Sequence, residues 1–222
     1  MRTYGQYCAL ARGLDVVGDR WTLLIVRELL ALGPTRYADL LRGLPGIATN
    51  LLANRLREME AAGLLTRSEL PRPASATVFE LTDRGAALES VVREYVKWGA
   101  PMMSPPRPDE TFRAHWLQIP LRALCRDNAP EAPAQVVRVG SADDGCDITV
   151  GAGRVDVTAS LPTTEVTATV QGDPGALVAL FAGSLPLAAA ESAGMINGDV
   201  DAVRRVLGGM QVALPDQAGI AA

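Results

Sequence analysis

The sequence predicts an α+β chain with two domains, and three observations carry that expectation. Helical apolar periodicity dominates residues 1–100 and closes in two short strand patterns. A Pro-rich stretch, residues 101–108, then interrupts the pattern. Beyond it, Val- and Thr-rich alternation framed by helices describes a sheet with one buried face.

Residues 8–17 read as a short helix ending at Gly18. Asp19 is placed to cap a second helix that runs to Leu32, where Gly33-Pro34 stops it. Thr35 is placed to cap a third, residues 36–42, with Tyr37, Leu40 and Leu41 apolar. Gly43-Leu44-Pro45-Gly46 forces a turn, and a fourth helix, 48–62, ends at Gly63. Strand patterns at 64–69 and 77–81 flank a Pro-rich tip, which makes a hairpin. Thr82 then caps a long helix, 83–98, whose apolar stripe is Leu88, Val91, Val92, Tyr95 and Trp98. Helix, helix, tight turn, helix and hairpin is the order of a winged helix-turn-helix domain.

The fourth helix is the candidate recognition helix. At about 100° per residue, Leu56 lies about 40°, Met59 about 20° and Ala48 about 40° from Leu52, so these four form the expected buried stripe. Asn50, Asn54 and Arg57 fall on the opposite side, at about 160°, 200° and 140°, with Ala53 beside them. Arg55 lies next to the buried stripe, where a carboxylate partner is expected. Asn pairs bidentately with adenine and Arg with guanine in the major groove, and residues early in a recognition helix reach base edges. Thr49, Asn50, Ala53, Asn54 and Arg57 are therefore the candidate base-reading positions. Thr35 and Arg36, opening the preceding helix, are candidates for the phosphate backbone. Arg72, at the hairpin tip, is a candidate for the flanking groove or phosphates. One helix reads few base pairs, so a homodimer on a two-fold symmetric site is expected. The stripe of 83–98 and the apolar start, 4–10, are its candidate surfaces.

Tyr7-Cys8, Leu14-Asp15, Gly18-Asp19-Arg20-Trp21, Arg36-Tyr37-Ala38-Asp39-Leu40, Leu56-Arg57-Glu58-Met59 and Glu80-Leu81-Thr82-Asp83-Arg84-Gly85 resemble the HxlR family of bacterial winged-helix regulators across residues 4–99. The resemblance implies a dimeric DNA-binding transcriptional regulator whose helix from Ala48 enters the major groove of double-stranded operator DNA. Cys8 stands where many members carry a cysteine that in some senses oxidants or electrophiles. That makes a thiol-gated regulator the alternative reading. Here Cys8 is followed by Ala9 instead of the commoner proline.

In the second half, residues 110–128 carry an apolar pattern with Pro120 placed to break or kink the helix. Strands are expected at 135–139, 146–150, 154–160 and 165–171. Asp173-Pro174 opens a helix to 182, and 187–193 reads as another. Residues 194–199 form a turn or short edge strand before a last helix, 200–207. Gly151-Ala152-Gly153 reads as a hairpin turn, because it lacks the strand-to-helix context of a phosphate loop. This layout, with Gly172-Asp173-Pro174, Gly183-Ser184-Leu185, Ala193-Gly194 and Asn197-Gly198-Asp199, resembles the sterol carrier protein fold over residues 109–210. The resemblance implies an apolar tunnel between sheet and helices that carries lipids. Phe112, Trp116, Leu121, Phe181, Leu185 and Met195 are the candidate lining of an apolar ligand site. A lipid-like carrier with a helical appendage is the further alternative.

The expected organisation is a winged helix domain at 1–100, a linker at 101–108, a ligand-binding domain at 109–212 and a loose tail at 213–222. The 222-residue chain has a formal net charge of −4, which speaks against coating nucleic acid by bulk charge. The balance is uneven. Residues 1–100 hold 13 Lys+Arg against 11 Asp+Glu, a net of +2, and residues 101–222 hold 8 against 14, a net of −6. Every basic residue is Arg except Lys97, and Arg suits forked contacts to phosphates and bases. One His and three Cys without CxxC spacing exclude a multi-His or ribbon-type metal site. Neither a signal-peptide order nor an apolar span of about 20 residues is present, so reduced thiols and a cytoplasmic protein are expected. No paired catalytic groups stand out, and His115 has no partner at nucleophile spacing. The expectation is a regulator, not an enzyme, with no metal or cofactor.

Overall fold

The computed structural model describes residues 3–70, 76–103, 107 and 109–210. The chain divides into two compact units, residues 1–92 and 93–222. Arg72 and the tail expected at 213–222 lie outside the described residues.

The first unit opens with α1 (Ala9–Val17) and α2 (Thr22–Leu32). Asp19 reaches forward as expected: its carboxylate accepts the Trp21 and Thr22 amides at 2.8 and 3.1 Å. Next come β1 (Thr35–Arg36), α3 (Tyr37–Gly43) and α4 (Thr49–Ala61). The hairpin β2 (Leu65–Glu69) and β3 (Thr77–Leu81) follows, with Leu65 opposite Leu81 and Glu69 opposite Thr77. The sheet order is β1-β3-β2. Ile25, Leu29, Leu40, Leu44, Leu52, Leu56, Met59, Leu65 and Val78 are buried, which packs helices and wing around one core. Between α3 and α4 the chain turns at Gly46, whose φ of +86° admits glycine at little cost.

Two expectations fail here. Thr35 does not cap α3. It pairs with Phe79 across β1 and β3, and its hydroxyl donates to the Gly33 carbonyl at 2.8 Å. Sheet pairing over a long sequence separation overrides the local capping preference. The single long helix 83–98 is two, α5 (Asp83–Ala86) and α6 (Glu89–Gly99). Thr82 does cap α5, accepting from the Gly85 amide at 3.1 Å. The break follows because the Leu88 amide bonds the Gly85 carbonyl three residues back, a tightening that ends an α-helical run.

The second unit holds a 3₁₀ turn Ala114–Leu117 running into α7 (Gln118–Leu124). The helical stretch expected at 110–128 is shorter and divided, and Pro120 is the third residue of its α-helical part. It sits in the first turn, where its missing N–H has no intrahelical partner to lose. The strands are β4 (Gln135–Gly140), β5 (Gly145–Gly151), β6 (Arg154–Ala159), β7 (Ala168–Val170) and β8 (Ile196–Gly198). They form one sheet in the order β6-β5-β4-β7-β8, with β4 and β7 parallel and the other pairs antiparallel. Ala152 and Gly153, at φ 50° and 74°, make the β5–β6 turn, the left-handed pair that a two-residue hairpin needs. The helices α8 (Pro174–Phe181), α9 (Leu187–Ser192) and α10 (Val200–Gly208) complete the unit.

Alternation puts Val137, Val139, Cys146, Ile148, Val150, Val157, Ala168 and Val170 in one apolar cluster with Leu121, Leu177, Leu180, Val203 and Val206 from the helices. The interleaved residues face the other way. There Arg138 grips Asp147 with two bonds of 2.7 and 2.8 Å and donates to the Leu161 carbonyl at 2.7 Å. That ties the β6-to-β7 connection across the polar face. Arg205 of α10 forks onto Asp127 at 3.0 and 3.1 Å and also donates to the Pro133 and Ala129 carbonyls.

Candidate nucleic-acid interface

Helix α4 is positioned from below by Leu52, Leu56 and Met59, each at most 2% exposed. Its start is clamped from α3, where the Tyr37 hydroxyl donates to the Thr49 carbonyl at 2.6 Å. A second brace lies under α3. Glu28 is fully buried on α2 and accepts from Arg27 Nε and Nη2 at 2.9 and 2.6 Å, and the same guanidinium reaches the Gly43 carbonyl at 3.3 Å. Burial pulls the Arg27 pKa down, against the opposing pull of Glu28. Neither the Tyr37 clamp nor the Glu28 brace was visible in the residue pattern; a glutamate inside the apolar run of α2 was its only trace.

With its underside held, α4 presents Thr49, Asn50, Asn54 and Arg57 to solvent and Ala53 at partial exposure. The helical wheel therefore places the outward face correctly, but Ala48, expected in the buried stripe, is exposed, because it is the extended residue just before α4 and lies outside the helical period. Arg55 stands aside as expected, bonded to Glu58 and 3.6 Å from Asp19. Arg57 instead donates to the Asn54 amide oxygen, a bond within α4. Arg36 is exposed at the foot of α3. Thr35 is the exception. At 5% exposure, with its hydroxyl turned to Gly33, it is not available to a phosphate.

Most of the exposed large apolar residues fall in two groups, Tyr4, Tyr7, Leu10 and Leu14 at the start, and Val91, Tyr95, Trp98, Met102 and Met103 along and after α6, with Leu24 and Leu161 elsewhere. Tyr95 and Trp98 meet edge to face, 6.3 Å between ring centroids. Of the expected helical stripe only Val92 is buried. Cys8 is exposed ahead of α1, whereas Cys125 and Cys146 are buried. Burial pushes these two thiols up to about 11 and about 12.

In the second unit, Leu121, Phe181 and Met195 are buried in the core cluster, and Phe112 and Leu185 pack against it. The Trp116 ring lies edge-on to His115 at 6.0 Å. His115 Nδ1 lies 3.1 Å from Asp144. Gln118 of α7 is fully buried. Its oxygen accepts from Arg122 at 3.2 Å, and its Nε2 has no hydrogen-bond partner among the described residues. Among the described residues no cluster of three or more His, Cys, Asp or Glu could hold a metal, and no helix is long and apolar enough to cross a membrane.

Two packed helices joined by a tight turn, the second with its polar side outward, and a wing hairpin beside them define a helix-turn-helix transcriptional regulator. Residues 16–106 match the family model described as HxlR-like helix-turn-helix. The chain is 32% identical over 94 residues to an uncharacterized HTH-type transcriptional regulator, YvaP, of Bacillus subtilis (strain 168), covering 42% of this chain and 86% of that one. It is also 32% identical over 91 residues to the HTH-type transcriptional regulator YodB of the same organism, covering 41% of this chain and 80% of YodB. Among solved structures, the reduced form of YodB from B. subtilis aligns at 29% identity and a TM-score of 0.39, over 46% of this chain and 100% of that one. The chain belongs to the HxlR-like helix-turn-helix family.

Proposed function

We propose that this regulator binds a two-fold symmetric operator as a homodimer through α4 and responds to an apolar small molecule held in its second half. The observation that carries the DNA part is the two-sided character of α4: Leu52, Leu56 and Met59 are buried, while Thr49, Asn50, Asn54 and Arg57 stand free of the core. Arg36 is suited to the adjacent phosphates, and Ala53 to a thymine methyl. The exposed apolar groups around Tyr7 and along α6 are each suited to a second copy of the chain, since large apolar side chains left in water favour association. Gel shifts of the full chain on its own promoter region test this. A sequence-selective, salt-sensitive band is expected, with a shallow salt dependence for so small a basic excess. Its absence refutes the reading.

The effector part assigns residues 1–100 to DNA, 101–108 to a linker and 109–212 to a sterol carrier protein-like domain. A single sheet with one apolar face under helices supports it, as does the buried Gln118 of α7, whose Nε2 has no hydrogen-bond partner among the described residues, since pockets for apolar ligands carry a few placed polar groups. A ligand acts by binding two states of the dimer unequally. Native mass spectrometry of the full chain tests it, and mass equal to the bare polypeptide after incubation with fatty acids and sterols counts against it. One observation favours a second reading: Cys8 is the exposed thiol, so oxidation there would gate DNA binding. Cys8→Ser that leaves oxidant-dependent gel shifts unchanged eliminates that reading.

A further inference from the structure

We infer that Asn54 and Arg57 act as one reading unit that selects guanine, not adenine. This inference rests on the DNA-binding reading above. Asparagine recognises adenine only by offering both halves of its amide: the oxygen accepts from N6 while the nitrogen donates to N7. Here one lone pair of the Asn54 oxygen is engaged by Arg57, a bond that adenine N6 would have to share or displace. The orientation of the amide follows from chemistry, because a guanidinium is a donor only and must meet the oxygen. What the pair then presents outward is N–H groups: the amide nitrogen of Asn54 and the remaining guanidinium donors of Arg57. Guanine, with O6 and N7 both accepting, is the base whose major-groove edge matches a donor-only fork.

Charge supports the same assignment. Arg55, two positions earlier, is neutralised by Glu58 and Asp19, and Glu60 faces Arg67 at 3.9 Å. Arg57 is held by a neutral amide and forms no ion pair among the described residues. Its full positive charge therefore stays on the exposed side of α4. In this arrangement Asn54 is a positioning residue: it fixes the plane of the Arg57 fork, and Arg57 touches the base. Both side chains are exposed, so their replacement leaves the core of α4 intact.

The test starts with selection of duplexes from a random pool by the full-length protein. The enriched half-site is then remade with 7-deazaguanine, which lacks the N7 acceptor, at each guanine in turn. One guanine is expected to lose about tenfold or more in affinity on that replacement. Arg57→Ala should bind the guanine and 7-deazaguanine duplexes alike, while its preferences elsewhere in the half-site persist. Asn54→Ala should keep guanine at that position with a reduced preference. Enrichment of adenine there, with relaxation of that position in Asn54→Ala, overturns the inference while leaving operator binding standing. So does a uniform loss on all duplexes in Arg57→Ala, which marks a phosphate contact. No enrichment of any sequence overturns the proposed function itself.

Discussion

Replacing Gly43 by alanine tests the brace that sets the turn of the helix-turn-helix. A Cβ at this position would lie 2.1 Å from Glu28 Oε2 and 2.8 Å from its Cδ. Glu28 has little freedom to move, because it is fully buried and forked by Arg27. If the carboxylate shifts with its fork intact, the cost is that of overpacking a core, about 1–3 kcal/mol. If the fork breaks and leaves a buried charge, it rises to about 3–5 kcal/mol. Alanine returns up to about 1 kcal/mol, since Gly43 lies in the last turn of α3 and glycine is the poorer helix former. The net expectation is a loss of about 2 kcal/mol, well above the noise of a urea titration. Two compact units preclude a single two-state fit, so hydrogen exchange of α2 and α3 amides should accompany the urea curve, with faster exchange confined to the first unit. In a Glu28→Ala background the clash partner is gone, and Gly43→Ala should then cost under about 0.5 kcal/mol. A loss below that value in the native background would show that Glu28 is not pinned against α3, and the reasoning fails.

Other expectations follow from the second unit and the thiols. The Arg205 hydrogen bonds hold the Asp127 carboxyl below its ordinary value of 3.8, so the unfolded chain takes up that proton first. Stability from this pair is complete above the ordinary value and declines as pH falls through the folded one. Thermal melts across that acid range should show the decline, and Asp127→Asn should flatten it. Native protein treated with iodoacetamide at neutral pH should be alkylated at Cys8 alone, with Cys125 and Cys146 reacting only after denaturation; peptide mass mapping reads this directly. Ile148→Ala removes a fully buried side chain from β5, an interior strand of the five-stranded sheet, and should cost about 2–5 kcal/mol in the urea transition of the second unit.

Much of the scaffold was legible in the residues because its signals are local. The buried stripe of α4, the reach of Asp19 to α2, the cap at Thr82 and the alternating strands each depend on neighbours within a turn or a pleat. The same wheel that buried Leu52, Leu56 and Met59 correctly sent Arg55 to a carboxylate. Thr35 was misread because its partner, Phe79, lies far along the chain and its local pattern fits a cap equally well. The break between α5 and α6 was hidden because Leu88, inside it, already keeps helical spacing with Val92 and Tyr95 of α6. The candidate site showed the same division: its outward residues were visible, but the bond between Asn54 and Arg57 and the clamp of Tyr37 were not.

The uneven charge of the chain illustrates the boundary best. Periodicity alone tells which residues turn inward, since apolar surface must leave water wherever it falls on one face. It cannot tell which charges can afford to follow. Glu28, Arg138, Asp147 and Arg205 are all buried, and apart from the apolar run around Glu28 little in their sequence surroundings announces it. Each is tolerable because a partner arrives: Arg27 beside Gly43 for Glu28, the facing strand for Arg138, and Asp127 for Arg205. A charge leaves water only when a fold supplies that partner. Except for the adjacent Arg27 and Glu28, whose link to Gly43 is the long-range part, such pairings exist only after the helices and strands have packed.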